Sequence, residues 1–279
     1  MLKLLDVQND QYNNLFLEKT KGIMGLLIDF RGNLAKVTFN SESKFNMWNV
    51  KTMKELLDFL GDVEKRREIK YVLFNGNNGN FGSGADIREL NVASKDREFA
   101  SSFFGYMKDI YLKLISLDKI TIGAVEGIAY GASLEMLLFL DFVIAHKDSK
   151  FAAPGGKIGV FPPALITVGP YIIGFQNVKK MAMLGEEISA DQAKTIGLVT
   201  EVVENLDQGI SYLLGKLSNF APSSLVLMRK ELSRYLVRDM EEAFTNLVIQ
   251  VGSDDAREGI NAFLARVKPS WASVSFSKS

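Results

Sequence analysis

The chain has 279 residues, of which 47% are hydrophobic and 24% are charged, a balance that excludes disordered, collagen-like and coiled-coil proteins. Basic and acidic residues both number 33, so the zero net charge gives no electrostatic reason to expect a nucleic acid partner. The lack of cysteine and the single histidine exclude disulfide frameworks, thiolate nucleophiles and histidine-rich zinc sites.

The N-terminal segment and the longest apolar stretches bear on the location of the protein. Asp6 and Asp10 stand where a signal peptide needs an unbroken apolar run. The apolar stretches around residues 136–145 and 160–175 are interrupted by Asp141 or by prolines and glycines, so neither supplies the roughly 20 apolar residues of a membrane helix. We therefore expect a cytoplasmic protein that has no membrane-spanning segment.

The first predicted elements are a strand pair, a helix and a further strand. Residues 25–40 read as two short apolar runs around the turn-forming Arg31-Gly32-Asn33, the pattern of a β-hairpin. Residues 49–68 carry apolar side chains at helical spacing, and residues 71–74 form an apolar run typical of a buried strand. A turn-rich loop follows at residues 75–84, and helical patterns then cover residues 86–90 and 97–115.

The plan of strand, glycine loop and helix then repeats. Residues 120–125 predict a strand, residues 126–131 a loop with two glycines, residues 133–140 a short helix and residues 141–145 another strand. Strands that alternate with helices favour an α/β fold with buried sheets. The pattern after Pro222 is wholly helical through Lys268, so we expect a core of residues 1–220 and a C-terminal helical region of residues 221–279.

Two glycine-rich loops each follow a predicted strand and precede a predicted helix. Such a junction presents free backbone N–H groups and favours negative charge in front of it. The spacing of Gly79, Gly82 and Gly84 differs from the dinucleotide-binding fingerprint, and no P-loop motif is present. For either loop alone, a tight turn without function is the alternative interpretation.

Glu135 is the most conspicuous ionisable residue, because it lies in the strongly apolar segment 131–138. A buried carboxyl with a raised pKa is a candidate general acid or base, whereas an acid at a helix start has a structural explanation through the helix dipole. Asp141, at a helix-to-strand turn, fits a structural role. Tyr130, beside the second loop, either donates a hydrogen bond into a site or packs as an aromatic ring.

Several motifs resemble the crotonase superfamily, also called the enoyl-CoA hydratase/isomerase family. Residues 81–87, FGSGADI, are similar to the family segment F-x-x-G-A-D-[IL], and residues 124–135, AVEGIAYGASLE, are similar to A-V-x-G-x-A-x-G-G-G-x-E. Downstream, ISADQA at 188–193, GLV at 197–199, EGINAFL at 258–264 and Lys268-Pro269 resemble the closing landmarks of the family. The resemblance runs from about Gly25 to Trp271.

The resemblance implies a spiral of ββα units followed by a helical oligomerisation region, assembled as a homotrimer or a homohexamer. It also implies that the backbone N–H groups of Ser83 and Ala132 form an oxyanion hole for the thioester carbonyl of an acyl-CoA. Enolate-like charge develops on that oxygen during the reaction, and hydrogen-bond donors placed there stabilise it. Glu135 aligns with a family glutamate that holds and activates water.

The resemblance implies no cofactor, because coenzyme A is part of the substrate. Its expected ligands are Lys44, the segment formed by Ala85, Asp86 and Ile87, and Lys268, with the lysine charges suited to phosphates.

The second catalytic glutamate of the family is missing, because Gly155 follows Pro154 where a glutamate normally stands. The leading hypothesis is a lyase of acyl-CoA or fatty acid metabolism that adds or removes water at an unsaturated acyl-CoA. Residues 159–163, GVFPP, are similar to a segment of cyclohexadiene-carbonyl-CoA hydratases, which suggests an alicyclic acyl group; a structural double-proline turn is the alternative interpretation. The alternatives are an acyl-CoA hydrolase, a carbon–carbon lyase or an isomerase of the same superfamily, or a noncatalytic homologue that binds CoA.

Overall fold

A computed structural model describes residues 25–237 and 239–273. Asp6 and Asp10, on which the expectation about a signal peptide rests, lie outside the described residues. Within the described ranges, no helix combines the length and the apolar character that are needed to cross a bilayer.

Nine strands form two sheets within the described residues. They are β1 Gly25–Arg31, β2 Leu34–Asn40, β3 Tyr71–Gly76, β4 Ile120–Val125, β5 Ile128–Tyr130, β6 Phe142–His146, β7 Lys150–Ala152, β8 Ile188–Ser189 and β9 Glu201–Val203. The larger sheet has the order β1-β2-β3-β4-β6-β9, and the smaller sheet has the order β5-β7-β8. In the larger sheet, β1 and β2 form the predicted antiparallel hairpin, and every later pairing is parallel.

Twelve α-helices connect and cover these strands in the described part of the chain. They are α1 Val50–Lys65, α2 Ile87–Ala93, α3 Arg97–Ser116, α4 Ala132–Leu137, α5 Pro163–Thr167, α6 Gly169–Ile172, α7 Phe175–Lys179, α8 Ala190–Thr195, α9 Leu206–Leu217, α10 Pro222–Ser233, α11 Met240–Val251 and α12 Asp254–Ala265. A 3₁₀ helix at Pro154–Ile158 and a π-helical turn at Lys180–Leu184 lie between β7 and β8. The observed architecture is the mixed α/β fold that the alternating pattern predicts.

The parallel sheet is buried on both faces, as parallel sheets in α/β folds usually are. One face of β2 and β3 packs with α1 and α3 into the main core through residues such as Val37, Phe74, Leu60 and Ile110. The opposite face packs against α9 in a second apolar cluster. Because side chains alternate along a strand, the near-continuous apolar runs of β3 and β4 supply both clusters at once.

Arg229 attaches the helical segment after residue 221 to the α/β core. Its buried guanidinium donates from Nε to Asp141 Oδ2 at 2.7 Å, from Nη1 to the carbonyls of Ile115 and Leu117 at 2.9 and 2.6 Å, and from Nη2 to the carbonyl of Leu114. Asp141 Oδ2 also accepts from the backbone N and the hydroxyl of Thr121 at 2.7 and 2.8 Å. These contacts give Asp141 the structural role that its position at a turn suggests.

Candidate active site

The two glycine-rich loops lie against each other. Gly82 forms a parallel bridge with Ala129, and the chain then reaches Gly84, whose φ is +87°. A Cβ atom at Gly84 would lie 2.8 Å from the carbonyl oxygen of Tyr130 and 2.9 Å from the backbone N of Ala132. Only glycine fits this positive φ and close approach without strain, so Gly84 brings the first loop next to the start of α4.

Two backbone N–H groups remain free where the loops meet. The backbone N of Trp48 donates to the carbonyl of Gly84 at 2.7 Å. This carbonyl and the N–H of Ala85 belong to the same trans peptide group, in which C=O and N–H point in opposite directions. The N–H of Ala85 therefore points away from Trp48. The N–H of Ala132 belongs to the first turn of α4, where N–H groups have no partner within the helix. Neither amide has a hydrogen-bond acceptor among the described residues.

The structure corrects the assignment of Ser83 as a free donor. The backbone N of Ser83 donates to the carbonyl of Phe45 at 2.8 Å, so this amide is already satisfied by the protein. The next N–H along the loop, that of Gly84, is directed away from residues 45–48 but already donates to Ser133 Oγ at 3.2 Å, so the first unpaired N–H after Ser83 is that of Ala85. The free amides where the loops meet are therefore those of Ala85 and Ala132, and the role of Ala132 as an oxyanion donor stays a prediction.

Ala85 and Ala132 line a cavity of about 530 Å³. Most of its wall is apolar and comes from distant parts of the chain: Met47, Leu90, Phe104, Met107, Phe161 and Leu247. Side chains of α12 and of the residues that follow it, including Phe263 and Val267, also reach the cavity. An apolar cavity with a few polar groups is the usual form of a small-molecule site.

Glu135 lies in the wall of this cavity and is only 3% exposed. Its Oε1 atom accepts hydrogen bonds from the backbone N–H groups of Ala164 and Leu165 at 2.7 and 2.9 Å, at the start of α5. Its Oε2 atom accepts no hydrogen bond from the described residues. Burial raises the pKa of Glu135 to about 8, and the two amide hydrogen bonds offset this shift only in part.

The raised pKa of Glu135 predicts a specific pH dependence of stability. Between about pH 4.5 and 8 the folded protein keeps this proton while the unfolded chain releases it, so folding becomes less favourable as the pH rises. The free energy of unfolding of the wild type should therefore fall relative to that of Glu135→Gln, by up to about 1.4 kcal/mol per pH unit. Urea unfolding of both proteins across this range measures the difference, and parallel pH profiles would contradict the raised pKa.

Gly155 faces the same cavity, from the 3₁₀ helix Pro154–Ile158. A Cβ atom at Gly155 would lie 3.3 Å from Cγ2 and from the carbonyl oxygen of Val160, so a side chain fits if Val160 shifts by a few tenths of an ångström. No carboxylate other than that of Glu135 lines the cavity within the described residues. The cavity wall therefore combines the Glu135 carboxyl group with the free amides of Ala85 and Ala132.

Three further polar residues line the cavity: Ser83, Tyr130 and Lys157. Lys157 donates to the carbonyl of Gly185 at 3.2 Å. Tyr130 donates its hydroxyl to Glu187, and burial, together with this hydrogen bond, raises the pKa of the tyrosine. Tyr130 thus lines the cavity while its hydroxyl bonds another residue of the protein.

Comparison with known proteins decides the family. The model of the enoyl-CoA hydratase/isomerase family matches residues 29–274, which is most of the chain. The chain belongs to the enoyl-CoA hydratase/isomerase family. It is 27% identical over 267 residues to a short-chain-enoyl-CoA hydratase of Clostridium acetobutylicum, covering 92% of this chain and 97% of that protein. It is 28% identical over 246 residues to a 1,2-epoxyphenylacetyl-CoA isomerase of Escherichia coli, covering 84% and 93%.

Solved structures show that the fold is the one found in this enoyl-CoA hydratase/isomerase family. The enoyl-CoA hydratase of Bacillus halodurans superposes with a TM-score of 0.80 at 20% identity and covers 85% of this chain and 99% of its own. An enoyl-CoA hydratase/isomerase from Xanthobacter autotrophicus superposes with a TM-score of 0.79 at 23% identity, covering 88% and 97%. These likenesses establish the crotonase fold that the motifs predict.

The residues expected to bind coenzyme A occupy different surroundings. Ala85 and Ile87 line the cavity. Asp86 is buried and its carboxylate is already used, since Oδ1 caps α2 at the backbone N of Arg88 at 2.9 Å and Oδ2 pairs with the guanidinium of Arg88 at 2.8 Å. Lys44 and Lys268 are exposed and lie outside the cavity wall, although both neighbours of Lys268 are part of that wall.

Several features of the site carry no signal in the sequence. The amides of Ala164 and Leu165 reach Glu135 from about thirty residues away in the chain, and their own side chains reveal nothing of this contact. The contributions of Leu247 and Phe263 depend on how α11 and α12 fold back over the core. The free amide of Ala85 is a backbone property, which becomes visible only when the hydrogen bonds of its neighbours are known.

Proposed function

We propose that this protein adds water to, or removes it from, the double bond of an unsaturated acyl-CoA. The observation that carries this proposal is the cavity in which the buried Glu135 carboxyl lies together with the two free N–H groups of Ala85 and Ala132. The names of the similar proteins support an acyl-CoA substrate: a short-chain-enoyl-CoA hydratase and a 2,3-dehydroadipyl-CoA hydratase are among them.

In the proposed reaction the thioester oxygen accepts hydrogen bonds from Ala85 and Ala132. This arrangement stabilises the enolate charge that forms when water attacks Cβ, and each such donor is typically worth about 10²- to 10³-fold in rate. The carboxylate of Glu135 removes a proton from the attacking water as the C–O bond forms. The same carboxyl then gives its proton to Cα, so one water molecule is added and Glu135 returns to its starting state.

The raised pKa suits Glu135 for both steps. A carboxyl that titrates near pH 8 holds a proton more strongly than a free glutamate, so it is a better base in its charged form and still releases the proton to a carbanion-like Cα. Only the charged form can begin hydration, so the rate of hydration should rise with pH through about 8 and level off above that pH.

Gly155 is the observation that favours a second candidate. Thioester hydrolysis and carbon–carbon cleavage use the same water and the same oxyanion donors, and they place fewer demands on a second acid at this position. A further alternative is a protein that binds CoA but has no catalytic activity.

Product analysis separates these functions. Purified protein is incubated with linear and alicyclic enoyl-CoAs, and the products are analysed by mass spectrometry. Hydration adds the mass of one water to the thioester, whereas hydrolysis releases free CoA. A panel without any turnover, in the presence of measurable acyl-CoA binding, would reject the lyase and favour the noncatalytic homologue.

Replacement of Gly155 by glutamate tests whether the vacant position limits hydration. We expect Gly155→Glu to raise kcat for hydration by about 10-fold or more, because a second general acid typically contributes about 10²-fold when it is well placed. Gly155→Gln has nearly the same size but no ionisable group and serves as the matched control. Equal kcat values for both variants would show that the missing carboxyl is not the limit.

We further propose that Lys44 and Lys268 contribute positive charge for the phosphates of coenzyme A, since both side chains are exposed and Lys268 lies between two cavity residues.

We also propose that the protein assembles as a homotrimer or homohexamer. Large apolar side chains remain 60–79% exposed outside the cavity, including Met183, Leu184, Leu227 and Leu232. Exposed apolar side chains of this size are candidates for subunit contacts. Light scattering of the purified protein measures the number of subunits.

A further inference from the structure

We infer that two buried hydroxyl groups, those of Ser133 and Tyr111, are positioning groups that fix the distance and direction between the amides of Ala85 and Ala132. This inference rests on the proposed function, in which those amides hold the thioester oxygen. Neither hydroxyl is assigned a contact with substrate, because each bonds the backbone of one loop and acts through it.

Ser133 connects the second loop to the first. Its side chain is fully buried, and its Oγ accepts a hydrogen bond from the backbone N of Gly84 at 3.2 Å. The contact is close, since a Cβ at Gly82 would lie 2.3 Å from the same Oγ. The first loop can therefore rest on the Ser133 hydroxyl only because Gly82 has no side chain.

The bond to Ser133 completes the fixation of the peptide that carries the Ala85 N–H. The carbonyl of Gly84 accepts from Trp48, and the backbone N of Gly84 donates to Ser133, so the residue before Ala85 is held on both sides. Removal of Oγ leaves the backbone N of Gly84 buried without an acceptor, and such a group costs about 1–3 kcal/mol unless the loop moves. A moved loop takes the Ala85 N–H with it.

Tyr111 holds the second loop from the opposite side. Its ring is fully buried in α3 and stacks on Phe139 with the centroids 4.7 Å apart, which places the hydroxyl rigidly. That hydroxyl donates to the carbonyl oxygen of Ala132 at 3.0 Å. The backbone N of Gly131 donates to the carbonyl of Ala152 at 2.9 Å on the other side. Ala132, whose N–H is the second donor, is thus held by a hydrogen bond at the preceding residue, Gly131, and by another at its own carbonyl.

Fixed donors matter because an oxyanion hole works by geometry that is set before the reaction begins. A shift of about 1 Å in a catalytic group can cost up to 10²-fold in rate. We therefore expect Ser133→Ala and Tyr111→Phe each to lower kcat about 10- to 100-fold, with a smaller rise in KM because the thioester oxygen is held less tightly. Both substitutions remove one oxygen atom and retain the remaining side chain.

The matched control is Ser149→Ala. Ser149 is as deeply buried as Ser133, and its hydroxyl donates to the carbonyl of Val125 at 3.0 Å, but it does not line the cavity. The three variants should lose similar amounts of thermal stability. Only Ser133→Ala and Tyr111→Phe should lose kcat, whereas loss of kcat in proportion to stability in all three would mean a merely structural role.

Ligand binding gives a readout that does not need turnover. Butyryl-CoA has the thioester oxygen, whereas S-butyl-CoA, a thioether, lacks it. Calorimetry of wild type should show tighter binding of the thioester, and in Ser133→Ala and Tyr111→Phe this preference should shrink while the affinity for the thioether stays constant. An unchanged preference in both variants would overturn the inference.

Failure of the inference is distinguishable from failure of the proposed function. A wild type that prefers butyryl-CoA without turning over any enoyl-CoA would reject hydration, and the ratio of the two affinities would still test the positioning groups. A wild type that binds butyryl-CoA and S-butyl-CoA equally well would overturn both the oxyanion hole and the inference built on it.

Discussion

Replacement of Glu135 by glutamine is expected to lower kcat for hydration by about 10²- to 10⁴-fold, the usual contribution of a general acid–base group. The amide oxygen of glutamine can still accept from the backbone N–H groups of Ala164 and Leu165, so the start of α5 should remain in place. CoA affinity should change little. Steady-state kinetics together with calorimetric titration of butyryl-CoA separates the lost proton transfer from lost binding.

Glu89→Gln is a suitable control for the glutamine substitution at Glu135. Burial also raises the pKa of Glu89, and its carboxylate likewise accepts from a backbone N–H, that of Val50 at 2.8 Å. Glu89 does not line the cavity, so this variant should retain the wild-type kcat. If Glu135→Gln retained turnover, the general base would be a group other than Glu135.

Replacement of Arg229 by methionine is expected to have the largest effect on stability, lowering the free energy of unfolding by about 3–5 kcal/mol. Methionine fills similar space but removes the hydrogen bonds to Asp141 and to the carbonyl groups at the end of α3. Asp141 keeps its bonds to Thr121 but loses its opposite charge. Urea unfolding measures the loss.

Lys230→Met provides the comparison on the same helix. Lys230 is about half-exposed and pairs with Asp118 at 2.7 Å, so its removal should cost about 0–1 kcal/mol, as exposed ion pairs do. If Lys230→Met and Arg229→Met destabilised the protein equally, the buried Arg229 would not anchor α10 as we describe.

The long elements of the fold could be predicted because each leaves a periodic pattern. The turn Arg31-Gly32-Asn33 marks the hairpin, and α1 has apolar side chains at helical spacing. The smaller sheet was missed because β5 and β7 have three residues each and β8 has two, which is too short for an alternating pattern. The division at residues 220 and 221 stays a prediction.

The candidate site could be predicted only in part. An acid in the apolar surroundings of residues 131–138 marks Glu135 from the sequence, and the structure places this residue in the cavity wall with a raised pKa. The choice between Ser83 and Ala85 could not be made, because it depends on which backbone N–H already donates to Phe45. Backbone donors differ by direction and not by side chain, so motif spacing alone could not separate them.

A crystal structure of the protein with bound butyryl-CoA, a saturated thioester that cannot be hydrated, tests the central claim most directly. The account predicts the thioester oxygen at about 2.7–3.1 Å from the backbone N atoms of both Ala85 and Ala132. It also predicts that Cβ of the acyl chain lies on the side of Glu135. A thioester oxygen bonded to neither amide, or an acyl chain outside the cavity, would contradict the account.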